Sequence, residues 1–137
     1  MTWELERVYA TMLTRVVRKP ASEAFKDRLP FWIACPDYPV PKHTKQALRD
    51  VTVNDGLHVQ AVACLPPRNR LAASLDLHVA EDNGLYLRDR KPLARLHVEP
   101  MTHDPEKAVD YLLKNVARGR VTLDQIIILP RARSELN

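Results

Sequence analysis

The chain has 137 residues, a length that fits one domain with one core. Its 45% hydrophobic and 28% charged content is that of a globular chain, and three unclustered glycines exclude a P-loop or a dinucleotide-binding fingerprint. The formal net charge of +4 and pI of about 9.3 allow a nucleic-acid partner without requiring one.

Leu5, Val8, Tyr9, Met12, Leu13, Val16 and Val17 recur at helical spacing, which predicts an amphipathic helix over residues 3–18, ended by Pro20. Residues 31–35 (Phe31-Trp32-Ile33-Ala34-Cys35) read as a short buried strand, closed by Pro36, Pro39 and Pro41. Residues 42–55 are polar and loop-like, with a short helix possible around Gln46 to Arg49. Residues 57–65 make the clearest strand, ended by Pro66 and Pro67. Arg68 to Leu77 reads as a short helix, and Tyr86 to Arg88 and Ala94 to Val98 as two strands joined by a polar turn. A helix follows from Pro105 to Arg118, and the apolar run Gln125 to Leu129 is left open between strand and helix. This order predicts an α+β domain with a mostly antiparallel sheet.

Cys35 and Cys64 form no CxxC pair and lie in apolar stretches, so both are expected as buried thiols. No apolar run is long enough to cross a membrane, and the N-terminus has no signal-peptide apolar region; a cytoplasmic chain is expected.

The 105–118 helix carries the first chemical signal. Asp104 suits its N-cap, Pro105 its first position and Gly119 its C-terminal stop. At about 100° per residue, Ala108, Val109, Leu112, Leu113, Val116 and Ala117 form one broad apolar face. Lys107, Tyr111, Lys114 and Arg118 form a narrow stripe opposite it. A phenol among cations suits a phosphate, and a phenolate is a nucleophile for one. The competing reading is a solvated charged face with Tyr111 packed on a neighbouring loop.

The second signal lies in the strand 57–65. Side chains alternate, so His58 and Gln60 share one face. An imidazole nitrogen and an amide oxygen two residues apart can converge on one ion, and this donor pair suits Mg²⁺ or Mn²⁺ better than structural Zn²⁺. The competing reading is a histidine that is merely hydrogen-bonded or solvent-facing.

Taken in order, His58-Val59-Gln60 on a strand and Tyr111-Leu112-Leu113-Lys114 on a later helix resemble the HUH endonuclease superfamily. That superfamily includes rolling-circle replication initiators and single-tyrosine transposases. The stretch from Leu96-His97-Val98-Glu99-Pro100 to Arg118 also looks like the C-terminal part of phage-type or plasmid replication proteins, and the likeness covers residues 31–133. The resemblance implies a ferredoxin-like antiparallel sheet with helices packed on it. It implies nicking and rejoining of single-stranded DNA through a 5′-phosphotyrosine intermediate, in replication or transposition of a mobile element. Tyr111 would be the nucleophile, and Lys114 would hold a phosphate or stabilise the phenolate. His58 and Gln60 would hold a divalent metal, Mg or Mn, and Lys107 and Arg118 would touch DNA. The strand bearing His58 and Gln60 is expected to be central and to face the Tyr111 helix.

The chain departs from the family pattern in three ways. Its second ligand is Gln60 rather than the commoner histidine. The family's strand ahead of the first helix is missing, so the chain is expected either to lack an edge strand or to begin late, as an N-terminally incomplete domain. A third ligand, acidic or histidine, would come from Asp37, Glu99 or His97, the last two sharing one strand face. Trp32 and Phe31 could stack bases, but their apolar setting favours core packing. Arg131 and Arg133 read as a solvated terminus, and His43, His78 and His103 have no partner at ligand spacing. Two other classes compete with the enzyme: a non-catalytic nucleic-acid-binding module on a ferredoxin-like fold, and a plain interaction domain.

Overall fold

The computed structural model describes residues 1–37, 58–102 and 104–131. Helix α1 spans Thr2–Val16, and the seven apolar residues at helical spacing are all buried. It leaves the helical conformation at Val17 (φ −123°, ψ 135°), shortly before Pro20. A 3₁₀ turn, Glu23–Arg28, leads into strand β1, Phe31–Asp37. Strand β2 is His58–Cys64 and β3 is Ile127–Leu129; together they form an antiparallel sheet in the order β2-β1-β3. Helices α2 (Leu75–Glu81), α3 (Asn83–Tyr86), α4 (Pro105–Leu112) and α5 (Lys114–Ala117) complete an α+β fold. The possible helix around Gln46 to Arg49 lies outside the described residues. Among those described, no helix is long and apolar enough to cross a membrane.

Several sequence expectations are corrected. The central strand is β1, and β2 lies at an edge among the described residues. Burial explains the order: Trp32, Ala34 and Cys35 of β1 are buried, whereas no residue of β2 is. Cys64, at the end of that edge strand, is an exposed thiol, while Cys35 is buried as expected. The two strands read between residues 86 and 98 do not form. Tyr86 instead closes α3, fully buried, with its hydroxyl 2.7 Å from His78 Nε2. The sheet takes its third strand from Ile127–Leu129. The 3₁₀ turn ahead of it, Leu123–Gln125, is closed by a reciprocal cap between Thr122 and Gln125.

The helix read over residues 105–118 begins as expected. Asp104 accepts a hydrogen bond from the Glu106 amide at 3.0 Å, with Pro105 in the first turn. It breaks at Leu113 (φ −88°, ψ 6°), which separates α4 from α5. Gly119 then turns left-handed at φ 67°, and the Asn115 carbonyl accepts from the Arg120 and Val121 amides.

The chain forms two compact units. The first comprises Met1–Trp32, Ala63–Thr102 and Ile128–Asn137. In it, Tyr9 of α1 packs edge-on to Trp32 at 5.5 Å and donates its hydroxyl to the Pro30 carbonyl at 2.8 Å. Glu4 is fully buried beneath the apolar face of α1. The Arg7 guanidinium reaches both of its oxygens at 3.1 Å and also donates to the Tyr86 carbonyl. The second unit, Ile33–Val62 and His103–Ile127, has its own core. Cys35, Leu112 and Val121 are buried there, with Ile33, Val62, Val116 and Ile126 packed against them.

Hydrogen bonds from Arg7 hold the Glu4 carboxyl below the usual carboxylate range, against the opposing effect of burial. A carboxylate depressed in the folded state stabilises the fold above its unfolded value, and that contribution is lost as pH falls through the folded value. Arg7→Ala strands a buried charge and should cost about 3 kcal/mol in urea unfolding at neutral pH. Without its partner the buried carboxyl favours the proton, so the deficit should shrink below about pH 4. A deficit that is constant across this range would show that the pair is not the source.

Candidate active site

The second unit brings five polar side chains together. Asp37 ends β1, Gln60 lies mid-way along β2, Tyr111 sits in the last turn of α4, and Lys114 and Asn115 open α5. Leu112 anchors the helix in the core between Tyr111 and Lys114. The buried face of α4 and α5 is turned from the one the apolar pattern predicts. Asn115 is fully buried, while Ala117 is exposed. The signal for this was a polar residue three positions from Leu112, at the margin of the apolar face.

Asn115 Nδ2 donates to Asp37 Oδ1 at 2.7 Å and to the Pro36 carbonyl at 3.4 Å. Its own Oδ1 is buried without a hydrogen-bond partner among the described residues. Gln60 Nε2 donates to Asp37 Oδ2 at 2.9 Å, and Lys114 Nζ lies 3.3 Å from the same oxygen. One carboxylate therefore takes three donors from β2 and α5. The Lys114 ammonium also lies 4.1 Å from the centroid of the Tyr111 ring, a cation–π contact. Tyr111 itself is 60% exposed.

These contacts set the charges. Hydrogen bonding from Lys114, then from the Gln60 amide, then the Lys114 charge, lower the Tyr111 phenol below its ordinary value. Slight burial and the Asp37 charge oppose them. Burial works against the charged form of Lys114, but hydrogen bonds with Tyr111 and Asp37 and the Asp37 charge outweigh it and raise its affinity for its proton. Lys114 is thus a fixed cation beside an acidified phenol, not a proton acceptor. Burial, followed by the Asp37 charge, pushes the Cys35 thiol up and keeps it inert.

Lys114 lies beside Tyr111, as their helical spacing led one to expect, and both Lys114 and Gln60 meet at Asp37, as the resemblance led one to expect only in part. Lys114 leaves the solvated stripe, however, and is three-quarters buried against Asp37. Lys107 and Arg118 remain exposed, with no ion pair among the described residues. His58 is exposed on the side of β2 that alternation shares with Gln60, and it too has no partner among those residues. Of the three further ligand candidates, only Asp37 belongs to this cluster. His97 and Glu99 lie in the first unit, in a segment that forms no strand, and bond to each other at 2.8 Å on the surface. Among the described residues, no group of three His, Cys, Asp or Glu side chains is placed to hold a metal. His78, assigned no role from the sequence, bridges Asp82 and Tyr86; His43 and His103 lie outside the described residues.

Tyr9 and Tyr86 have phenols pushed up, chiefly by burial, so Tyr111 should ionise before either. In an alkaline titration followed by tyrosinate absorbance, Tyr111→Phe should remove the earliest of these three steps. Lys114→Met should move that step up in pH, since it removes the cation that favours the phenolate. If Tyr111→Phe leaves the early part of the curve intact, the phenol is not activated. No protein-family model, curated protein or solved structure matches the chain, and the chemistry rests on this geometry.

Proposed function

We propose that this chain nicks and rejoins single-stranded DNA, with Tyr111 as the nucleophile. The observation that carries the reading is an exposed phenol whose ring lies 4.1 Å from a lysine ammonium held against Asp37, a setting that favours the phenolate. It agrees with the resemblance of His58-Val59-Gln60 and Tyr111-Leu112-Leu113-Lys114 to the HUH endonucleases. A phosphodiester attacked by Tyr111 Oη forms a P–O bond to the phenol and breaks the bond from phosphorus to O3′. The phenol proton passes to solvent, and the departing O3′ takes up a proton to become a free hydroxyl. Lys114 offsets the negative charge on the phenolate and on the reacting phosphate. The linkage conserves the phosphodiester's bond energy, so attack by a 3′-hydroxyl rejoins the strand. Replication or transposition of a mobile element is the setting this chemistry serves.

The resemblance implies a divalent cation, Mg or Mn, at His58 and Gln60, but the residues as arranged do not fit one. Gln60 presents its NH₂ to Asp37, and the Lys114 ammonium lies 3.3 Å from the same carboxylate oxygen. Among the described residues no metal-holding group forms, and no step of the proposed reaction runs through an ion.

Two observations favour a second reading, a non-catalytic nucleic-acid-binding module: among the described residues, β2 is an edge strand and His58 is exposed without a polar partner. The two readings separate on a denaturing gel. Labelled single-stranded DNA incubated with Mn²⁺ and the wild-type chain should yield a covalent adduct. Tyr111→Phe should abolish the adduct and keep most of the DNA affinity. Adduct that survives in Tyr111→Phe, or its absence from the wild type across several metals and oligonucleotides, would leave the binding module.

Both functions need a phosphate-facing surface, for which we propose the exposed Lys107 and Arg118, on either side of Tyr111 in the sequence. Replacing both with Ala should weaken single-strand binding. It should also flatten the plot of log affinity against log salt by up to about 1.4, or about 0.7 per phosphate contact. An unchanged slope would assign these residues to solubility.

A further inference from the structure

We infer that the first unit carries a docking surface for single-stranded nucleic acid, in which a base stacks on Trp3 and the neighbouring phosphates meet Arg88, Arg90 and Lys91. This surface uses none of the residues of the Tyr111 cluster and does not depend on nicking.

Trp3 sits in the first turn of α1 and is 48% exposed. The core beneath that helix is made by Leu5, Val8, Tyr9 and Met12, so packing leaves much of the indole in water. Two contacts bring the turn that follows α3 to it. Arg7, one turn along α1, donates to the Tyr86 carbonyl where that turn begins. At its far end the Lys91 ammonium lies 5.4 Å from the centroid of the Trp3 ring, a cation–π contact. Between them the Lys91 amide donates to the Arg88 carbonyl at 3.3 Å, and Arg90 takes φ 61°. That left-handed conformation strains a residue with a Cβ. Glycine would relieve the strain, whereas arginine keeps a cation at the turn.

The charge at this turn is not cancelled. Arg88, Arg90 and Lys91 are exposed, and none forms an ion pair among the described residues. Glu4 is buried and gives both its oxygens to Arg7; the Lys91 and Arg88 charges add to Arg7 in favouring its ionised form, against burial. Glu6 is paired with Arg131. From Arg88 to Arg95, Asp89 is the one acidic residue among four basic ones. An exposed aromatic ring beside surplus positive charge matches an unpaired base and its backbone, the base stacking and the phosphates meeting the cations. A duplex keeps its bases stacked on one another and offers the indole no free face. A membrane surface takes a broader apolar face, and the other exposed residues of α1 are Thr2, Ala10, Thr14 and Arg15.

The test follows indole fluorescence of the full chain as oligothymidylate is added, with an abasic strand of equal length and phosphatidylserine vesicles as the other probes. Oligothymidylate should quench the emission to a saturating level, and the quench should persist when Lys107 and Arg118 are replaced with Ala. Trp3→Phe should remove the quench, because Trp32 is buried, yet keep most of the affinity in a polarisation assay, because a ring remains to stack on. Trp3→Ala should weaken oligothymidylate binding about tenfold. The abasic strand should bind the wild type more weakly than oligothymidylate does, and Trp3→Ala should leave its binding unchanged. Replacing Arg88, Arg90 and Lys91 with Ala should flatten the plot of log affinity against log salt by up to about 2, or about 0.7 per phosphate contact. An unquenched wild type, a quench that survives Trp3→Phe, or an abasic strand that binds as tightly as oligothymidylate would overturn the surface. These three readings decide the matter even where Trp3→Ala does not fold. Emission that responds to the vesicles and not to oligothymidylate would assign the surface to a membrane. Quenching without a covalent adduct would remove the nicking reading and keep this surface, and adduct without quenching would do the reverse.

Discussion

The candidate site hangs on one carboxylate. Asp37 is four-fifths buried, and an ionised group in that position is tolerated only when its lone pairs are filled. Asn115, Gln60 and Lys114 fill them, and each donor thereby acquires a fixed place. Asn115 ties α5 to the end of β1, Gln60 ties β2 to β1, and Lys114 is held where its ammonium covers the Tyr111 ring. The acidity of Tyr111 is a consequence two contacts removed: Asp37 positions the donors, and the donors stabilise the phenolate. The same carboxylate opposes that ionisation by its own charge, so it orients the site at some electrostatic cost.

The first unit contains an analogous arrangement without the reactive group. Glu4 lies under the apolar face of α1, held by Arg7, and Arg7 also reaches the Tyr86 carbonyl. These two buried polar residues, Glu4 and Asn115, were the features hardest to find in the sequence. Both stand beside apolar positions at helical spacing, where a hydropathy pattern reads a polar side chain as noise at the margin. Glu4 pairs locally with Arg7, three residues on, but what the pair is buried against lies far along the chain: Arg7 reaches the Tyr86 carbonyl 79 residues away. Asn115 finds the Pro36 carbonyl at the same separation. Nothing local announces these distant contacts.

Local rules fared better. The spacing of Leu5 to Val17 fixed α1, the Asp104-Pro105 start and the Gly119 stop bounded the next long helical segment, and Pro66 and Pro67 follow the end of β2, whereas β1 runs on through Pro36 to Asp37 rather than closing at it. Alternation placed Gln60 and His58 on one face of β2, but only the resemblance turned that face toward the helix of Tyr111. Pairing order was not legible. Strand position depends on which strand buries more of its surface, and the small side chains of β2 left it at the edge among the described residues. The segment from Tyr86 to Val98 was misread because an aromatic followed by alternating residues satisfies a strand pattern; Tyr86 is committed instead to His78.

Three tyrosines in this fold show why position rather than residue type decides chemistry. Tyr9 gives its proton's hydrogen bond to the Pro30 carbonyl, a neutral acceptor that favours the phenol over the phenolate, and burial pushes its ionisation out of reach. Tyr86 is buried against His78, and burial likewise raises it. Both rings are packing elements whose hydroxyls satisfy a buried partner. Tyr111 has the opposite surroundings: water on one side, and a protonated lysine and an amide NH₂ on the other. A cation beside the ring stabilises negative charge on the phenolate oxygen, and solvent exposure leaves that oxygen open to a large reactant. Lysine suits this place better than arginine would. A planar fork would lock onto Asp37 through two bonds, whereas a single ammonium on a flexible stem can serve the Asp37 carboxylate and the Tyr111 ring at once.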